Sequence, residues 1–583
     1  MRRTSLIHPF LMAAVFFAAS VTGPAQDTNP KIDAIFADLT KPGSPGCALG
    51  VYRDGEIIYA QGYGLANIEG NVPITPQTVF DVGSISKQFT AASVLLLEKE
   101  GKLRLDDDVR KYIPELPDYS QRGQRITILQ LLNHTSGLRD YNSLLLLAGI
   151  HFDNVTTDDD ALGIIVRQKA LNFAPGSQWR YSGSGYFLLS LIMKRVSGKT
   201  LKDFAAESIF RPLGMTHTQF RSDHTSLIAN RALAYEREED GTFRLNVSYA
   251  EQNGDGMVHT SIEDLQKWDE NFYSGKVGGT ELLAKMQEPG KLSDGKPVNY
   301  AKGLFLRNYR GLPTAWHGGE SGGYLSYFIR FPKQHFSVAC LCNGLPSPFQ
   351  RSHRVATVYL DTTMKAGGVD FATAGSETTS SARISTEQIR RWLGYYRNSK
   401  NGDIWQISEK EGTLLLDFEG NRRPLRALSA SEFEPLGYVH HMRLKLEPAK
   451  STAPHKLIVE REAEPYATLE AIEAPALSFV QLAAYVDDYR SDELRATYRL
   501  AMQNDKLWMK ELIGADSIPH RGIIPSDELH PTAADEFILN GPPLVFRFCR
   551  DKKNEITGFV LGGFTEHGML FRRMKRSKEF QQE

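Results

Sequence analysis

The chain changes character once, between residues 366 and 385, and that change decides which parts can fold together. There the text runs Gly367-Gly-Val-Asp-Phe-Ala-Thr-Ala-Gly-Ser-Glu-Thr-Thr-Ser-Ser-Ala382, small and polar side chains with little to bury, so a linker is expected over 366–385. Upstream, helical and strand patterns mix. Cys47 to Ala60 reads as a hairpin turning at Asp54-Gly55, and Tyr324–Phe331 with Phe336–Cys342 reads as another. Ser84 to Glu100 reads as a helix apolar almost all round, with Gly101 beyond it. Such a helix must be buried, so residues 27–365 are assigned to one large α/β domain of α+β texture.

Downstream, the apolar spacing is strand-like and two blocks echo each other. Leu393-Gly-Tyr-Tyr396, Ile404-Trp405-Gln-Ile407 and Leu414–Leu416 are answered by Leu482-Ala-Ala-Tyr485, Ala496-Thr-Tyr498-Arg-Leu500 and Leu507-Trp508. Glu432-Phe433 and Glu536-Phe537 follow, each ahead of another strand pattern. Two antiparallel barrels are expected, over 386–476 and 477–583, because closure removes exposed strand edges. With the upstream domain this makes a multidomain chain, as 583 residues at about 100 to 200 per domain require.

Composition excludes several classes. Apolar residues make up 41% and charged residues 23%, ordinary for a globular protein, and Lys+Arg (68) against Asp+Glu (69) leaves no basic excess for nucleic acid. Met1-Arg2-Arg3, the apolar run Pro9–Val21 and Gly23-Pro24-Ala25 read as a signal peptide over 1–25, so the protein is expected to be secreted or periplasmic. No later stretch reaches about 18 uninterrupted apolar residues, so the mature protein is expected to lack a transmembrane segment. Four cysteines are too few to be the main support of the chain, and Cys340 and Cys342, alternating on one strand face, are expected as core thiols in preference to a bridge or a metal site.

Three motifs carry chemistry. In Ser84-Ile-Ser-Lys87 the i and i+3 side chains share a helix face, placing an amine beside a hydroxyl at a helix N-terminus. A second match, Ser293-Asp-Gly-Lys296, lies in a polar loop and is assigned no role. Tyr181 follows Pro175-Gly-Ser-Gln-Trp-Arg and precedes an apolar helical run, and nearby cations would pull its phenol down from about 10. Trp316-His317-Gly318-Gly319-Glu320 leads into the last hairpin, where small residues let a substrate approach the strand backbone.

Together, with Leu131-Leu-Asn-His-Thr-Ser-Gly-Leu138 and Gly254-Asp-Gly-Met257, these motifs resemble the penicillin-recognising serine hydrolases: class C β-lactamases, DD-peptidases, D-aminopeptidases and esterases of β-lactamase/transpeptidase-like fold. The resemblance covers roughly residues 45–344. It implies Ser84 as nucleophile, Lys87 and Tyr181 as proton relay, the amides of Ser84 and Glu320 as oxyanion hole with Gly318 and Gly319 beside it, and His317 as a positive or hydrogen-bonding group. It implies a small ester or amide, a D-aminoacyl peptide or a β-lactam as substrate, and no metal or organic cofactor. The D-aminopeptidase arrangement also implies lipocalin-like barrels that help enclose the site.

One departure stands out: the second motif is commonly Tyr-x-Asn and here has Gly183, which removes an aligning amide, with Ser182 and Ser184 beside it. Glu320 and Asp140 are candidates for an acidic pocket around a substrate amino group. Gly319-Glu-Ser321-Gly-Gly323 also fits a nucleophile elbow, but the text after it is a strand where the elbow needs a helix. His440-His441 lacks partners at metal-ligand spacing, and Trp405 and Trp508 are read as barrel-core residues. The reading from another class is a non-catalytic receptor for penicillin or cell-wall peptides on the same fold.

Overall fold

The computed structural model describes residues 29–574 apart from 120–124, 152, 239, 345–346, 366–389, 411, 420, 437–441, 449–454, 462–463, 514–526, 540–543 and 564–565. The expected signal peptide, the linker at 366–385 and His440-His441 lie outside the described residues.

The catalytic domain is built on a seven-stranded antiparallel sheet. Its strands are β1 (Cys47–Arg53), β2 (Glu56–Tyr63), β3 (Tyr300–Ala301), β4 (Leu304–Tyr309), β5 (Leu312–Ser321), β6 (Tyr324–Phe331) and β7 (Phe336–Cys342). Their order across the sheet is β3-β4-β5-β6-β7-β1-β2, so the first hairpin closes against the last one. Asp54 and Gly55 both take positive φ, 51° and 81°, as the two-residue turn between β1 and β2 requires. Alternation sorts each strand between two cores. Leu49 and Val51 of β1 face one apolar cluster with Val338 and Cys340 of β7, whereas Ala48, Tyr52, Ala339 and Leu341 face the other.

Helix α1 (Ser86–Lys99) runs through the second cluster, and α2 (Tyr141–Leu147) and α3 (Gly183–Ser197) pack within the same core. Helix α4 (Pro348–Leu360) covers the opposite face of the sheet. The helix expected from Ser84 starts as a 3-10 turn at Gly83–Ile85 and becomes α-helical at Ser86.

The expectation of free core thiols holds for Cys340 but not for Cys342, which forms a disulfide with Cys47. The β1–β7 register sets these two residues directly opposite each other across 295 residues of chain, a neighbour that spacing within one strand does not reveal. Cys340 stays reduced and buried, with its thiol pushed up to about 12 by desolvation.

Beyond the catalytic domain stand two closed eight-stranded antiparallel barrels, with strands from Gly394–Asn398 to Glu464–Ala471 and from Asp487–Ser491 to Glu566–Arg573. The sequence echo is real but shifted. In each barrel a tyrosine on the first strand donates to the carbonyl four residues earlier: Tyr396 to Trp392 (2.9 Å) and Tyr489 to Tyr485 (2.8 Å). The counterpart of Tyr396 is therefore Tyr489, and Leu482 belongs to a short helix (Phe479–Ala483) ahead of the barrel. Trp405 fills the first barrel's core, but Trp508 faces outward under Lys510 while its neighbours Leu507 and Met509 point in.

Candidate active site

The turn that carries Ser84 is pressed against β5. Gly83 (φ 49°) lies so close to Glu320 that a Cβ there would stand 2.6 Å from the Glu320 nitrogen, and a Cβ on Gly319 would stand 2.0 Å from the Val82 carbonyl oxygen. Only glycines allow the two backbones to meet this way. Asp81 secures the junction, accepting from the Gly83 N–H (2.9 Å) and from the Ser321 hydroxyl (2.8 Å). Ser321, the serine of the elbow-like pattern, thus donates to a carboxylate within a β-strand.

One helical turn on from Ser84, the buried Lys87 Nζ donates to the Ser84 hydroxyl (3.0 Å) and to the Asp255 carbonyl (2.6 Å). Tyr181 comes from the segment just before α3, and the Lys87 nitrogen lies 4.8 Å from the centre of its ring. Burial raises the Tyr181 phenol above its ordinary value, and Lys87 and Ser84 only hold that rise back. The expected downward pull is therefore outweighed by desolvation, and the phenol is held neutral.

His317 is buried on β5, its ring 6.1 Å from that of Tyr181. Desolvation first and the Lys87 charge second push it down to about 3, so it is neutral at any ordinary pH and adds no positive charge. A tautomer protonated on Nδ1 satisfies both its contacts, giving to the Gly318 carbonyl (2.6 Å) and accepting on Nε2 from the Tyr300 hydroxyl (3.2 Å). His134, in the left-handed region (φ 56°), packs on Tyr181 at 4.2 Å between ring centres and takes the Ser182 N–H on Nδ1 (3.2 Å).

Where the family's second motif would place an amide, carboxylates converge. A Cβ on Gly183 would meet Asp255 Oδ2 at 2.6 Å, with Asn142 Nδ2 and Asp140 Oδ2 each at 3.1 Å. Asp255 also accepts from the Tyr141 hydroxyl (3.1 Å) and from Asn142 (3.3 Å), and burial raises both the Asp140 and the Asp255 carboxyl. Ser184 does not replace the amide, because its hydroxyl is committed to the Arg139 carbonyl and the Tyr141 N–H. Spacing pointed to Ser84, Lys87, Tyr181, His317 and the glycines. It did not point to Asn142, Asp255 or Tyr300, although Asp255 sits inside the quoted Gly254–Met257 motif and Asp140 was named as an acid.

A nucleophilic hydroxyl beside a buried amine and a neutral phenol, under a junction of backbone amides, equips a serine acyl hydrolase. The Beta-lactamase family profile matches residues 32–360, and the chain belongs to that family. It is 27% identical over 459 residues to the D-aminopeptidase of Gluconobacter oxydans, covering 78% of this chain and 82% of that one. The D-aminopeptidase of Brucella anthropi is 24% identical over 551 residues, 91% of this chain and 96% of its own. Among solved structures, the octameric penicillin-binding protein homologue from Pyrococcus abyssi shares the fold at a TM-score of 0.53 and 23% identity, over 75% of this chain and 98% of that one. Among the described residues, no helix is long and apolar enough to cross a membrane.

Proposed function

We propose that the protein is an exported serine hydrolase that cleaves small amides and esters of acyl groups bearing a free amine, D-aminoacyl groups foremost, through an acyl-enzyme on Ser84. The observation that carries this reading is the 3.0 Å contact from Lys87 to Ser84 beside the two carboxylates that converge on Gly183. Two carboxylates side by side at that place, with one amide donor between them, suit a substrate ammonium. The preference for D-residues rests on the names of the two relatives, and export rests on the leader-like first 25 residues.

Ser84 Oγ attacks the carbonyl carbon as its proton passes to the Lys87–Tyr181 pair, which acts in the form that has given up one proton, with Lys87 a free amine, and the pair returns that proton to the leaving amine or alkoxide. The same pair then takes a proton from the water that releases the acid and restores Ser84. Backbone amides of Ser84 and Glu320 receive the oxyanion, and neutral His317 fixes Tyr300 and the β5 backbone beside it.

The test is rapid-mixing hydrolysis of a small chromogenic ester, followed by D-alanyl p-nitroanilide against its N-acetyl form. A burst absent from Ser84→Ala is expected, with the free amine favoured by about tenfold or more, as a charge-assisted contact allows. An equal burst in Ser84→Ala refutes the nucleophile. Equal rates on the two anilides refute the amine subsite and leave the nucleophile standing.

A further inference from the structure

The second barrel reaches the catalytic domain with two buried carboxylates, and both grip the short segment Arg139–Tyr141. Glu566, fully buried on the last barrel strand, accepts the Asp140 N–H on Oε1 (2.8 Å) and the Asn172 side-chain amide on Oε2 (2.9 Å). Asn172 completes the clasp by accepting the His567 N–H (3.2 Å). Glu493 pairs with the buried Arg139 guanidinium (2.7 Å) and takes the Lys169 N–H (2.9 Å). At the far end of α2, Tyr498 donates to the Leu147 carbonyl (2.8 Å).

The same segment holds the tyrosine loop from its other side. The Asp140 carboxylate accepts the Gly183 N–H and caps α2 through Ser143 (3.1 Å). The Arg139 carbonyl takes the Ser184 hydroxyl (2.7 Å), which in turn accepts the Tyr141 N–H (2.8 Å). Gly183 and Ser184 lie two and three residues beyond Tyr181. A continuous chain of hydrogen bonds therefore runs from the barrel's Glu566 through Asp140 to the backbone that sets the Tyr181 phenol.

We infer that Glu566 is a positioning residue for the hydrolase: the second barrel sets the proton relay by holding Asp140. The inference rests on the role given to Tyr181 above. Without the Glu566 carboxylate the Asp140 N–H is buried and unpaired, so residues 139–141 shift and carry Gly183 with them. Glu566→Gln keeps an acceptor for Asp140 and loses only the second half of the clasp.

The experiment compares full-length wild type, Glu566→Ala, Glu566→Gln and Asn172→Ala by thermal melting and by ester kinetics across pH. Glu566→Ala is expected to lower kcat about ten- to a hundredfold with KM within about twofold, the scale on which small misplacements act, and to shift the pH profile. Glu566→Gln should recover most of kcat. A folded Glu566→Ala chain with wild-type kcat overturns the inference. If that variant does not fold, Asn172→Ala decides: kcat several-fold down supports the clasp, and an unchanged kcat in a folded chain overturns it. Wild-type protein inactive on every ester would instead sink the catalytic reading itself, a different outcome from equal activity in all four proteins.

Discussion

The two barrels share a strand plan and a tyrosine corner, yet they are built into the molecule differently. The second barrel's core, with Tyr498, Phe546 and Phe571, is continuous with the apolar cluster that surrounds α1 and α3. The first barrel encloses its own cluster around Trp405, Leu416 and Leu444. It meets its neighbours through a small patch at Ile404, Ile538 and Val545 and through ions, among them Arg397 to Glu536 of the second barrel and Arg423 to Glu320. A shared strand pattern thus fixes only the inward faces. What each barrel does for the enzyme is written on its outward faces.

The largest test of that contrast is a pair of core truncations. Tyr498→Ala and Trp405→Ala should each cost about 3–5 kcal/mol, as large aromatic deletions do. For Tyr498→Ala the loss falls on the unit that holds the site, so ester turnover should disappear at the lowered melting temperature. In Trp405→Ala calorimetry should show an early transition of the first barrel while turnover survives to the wild-type temperature. Turnover lost at the early transition in both proteins would mean that the barrels are equivalent after all.

The contrast also explains what the sequence could tell. Local spacing was enough for the β1–β2 turn, for the pairing of Ser84 with Lys87 and for two barrels of strand-like text, because each signal lies within a few residues. Contacts between distant segments left no such trace. Cys47 opposite Cys342, the three groups converging on Gly183 and the Glu566 clasp on Asp140 all join positions more than 40 residues apart. The barrel echo was misregistered by four residues because Tyr485, in the turn after a short helix, imitates the strand tyrosine Tyr489. Tyr181 shows the same limit in electrostatics, since a motif displays the neighbouring cation but not the desolvation that outweighs it.

A middle-sized effect is expected where both barrels meet the catalytic domain. Asp403 of the first barrel lies near Arg180, the residue before Tyr181, near Glu419, and near Arg547 and His567 of the second barrel, and burial raises its carboxyl to about 6. Unfolded, it would ionise near 4. Below about pH 4 both states hold the proton and the group costs nothing; between 4 and 6 only the unfolded state releases it, so stability falls as pH rises, and above 6 the penalty is complete. Asp403→Asn should therefore match wild type near pH 4 and exceed it by up to about 3 kcal/mol above pH 6. His567, lowered to about 4 by burial, works in the opposite direction, losing stability as pH falls from about 6.5 to 4. Denaturant titrations of both proteins at pH 4, 5, 6 and 7 (chosen to bracket the window) check this, and a difference that grows toward acid would reverse the assignment.

The smallest effect distinguishes a rim contact from a structural one. Arg423 of the first barrel reaches Glu320 at 3.4 Å, and the Glu320 carboxylate is about half exposed at 47%. Exposed pairs of this kind contribute about 0–1 kcal/mol and weaken with salt, so Arg423→Ala should barely move the melting temperature. Yet the Glu320 backbone meets the turn that carries Ser84 while its side chain reaches the barrel, so on the proposed mechanism the pair stands beside the reacting serine. Removing the arginine leaves the Glu320 charge uncompensated at that rim. KM for a cationic D-aminoacyl ester should fall by about twofold at low salt and converge with wild type in high salt, with kcat unchanged. A fall in kcat comparable to that of Glu566→Ala would place the first barrel inside the catalytic unit, and the contrast between the barrels would be lost.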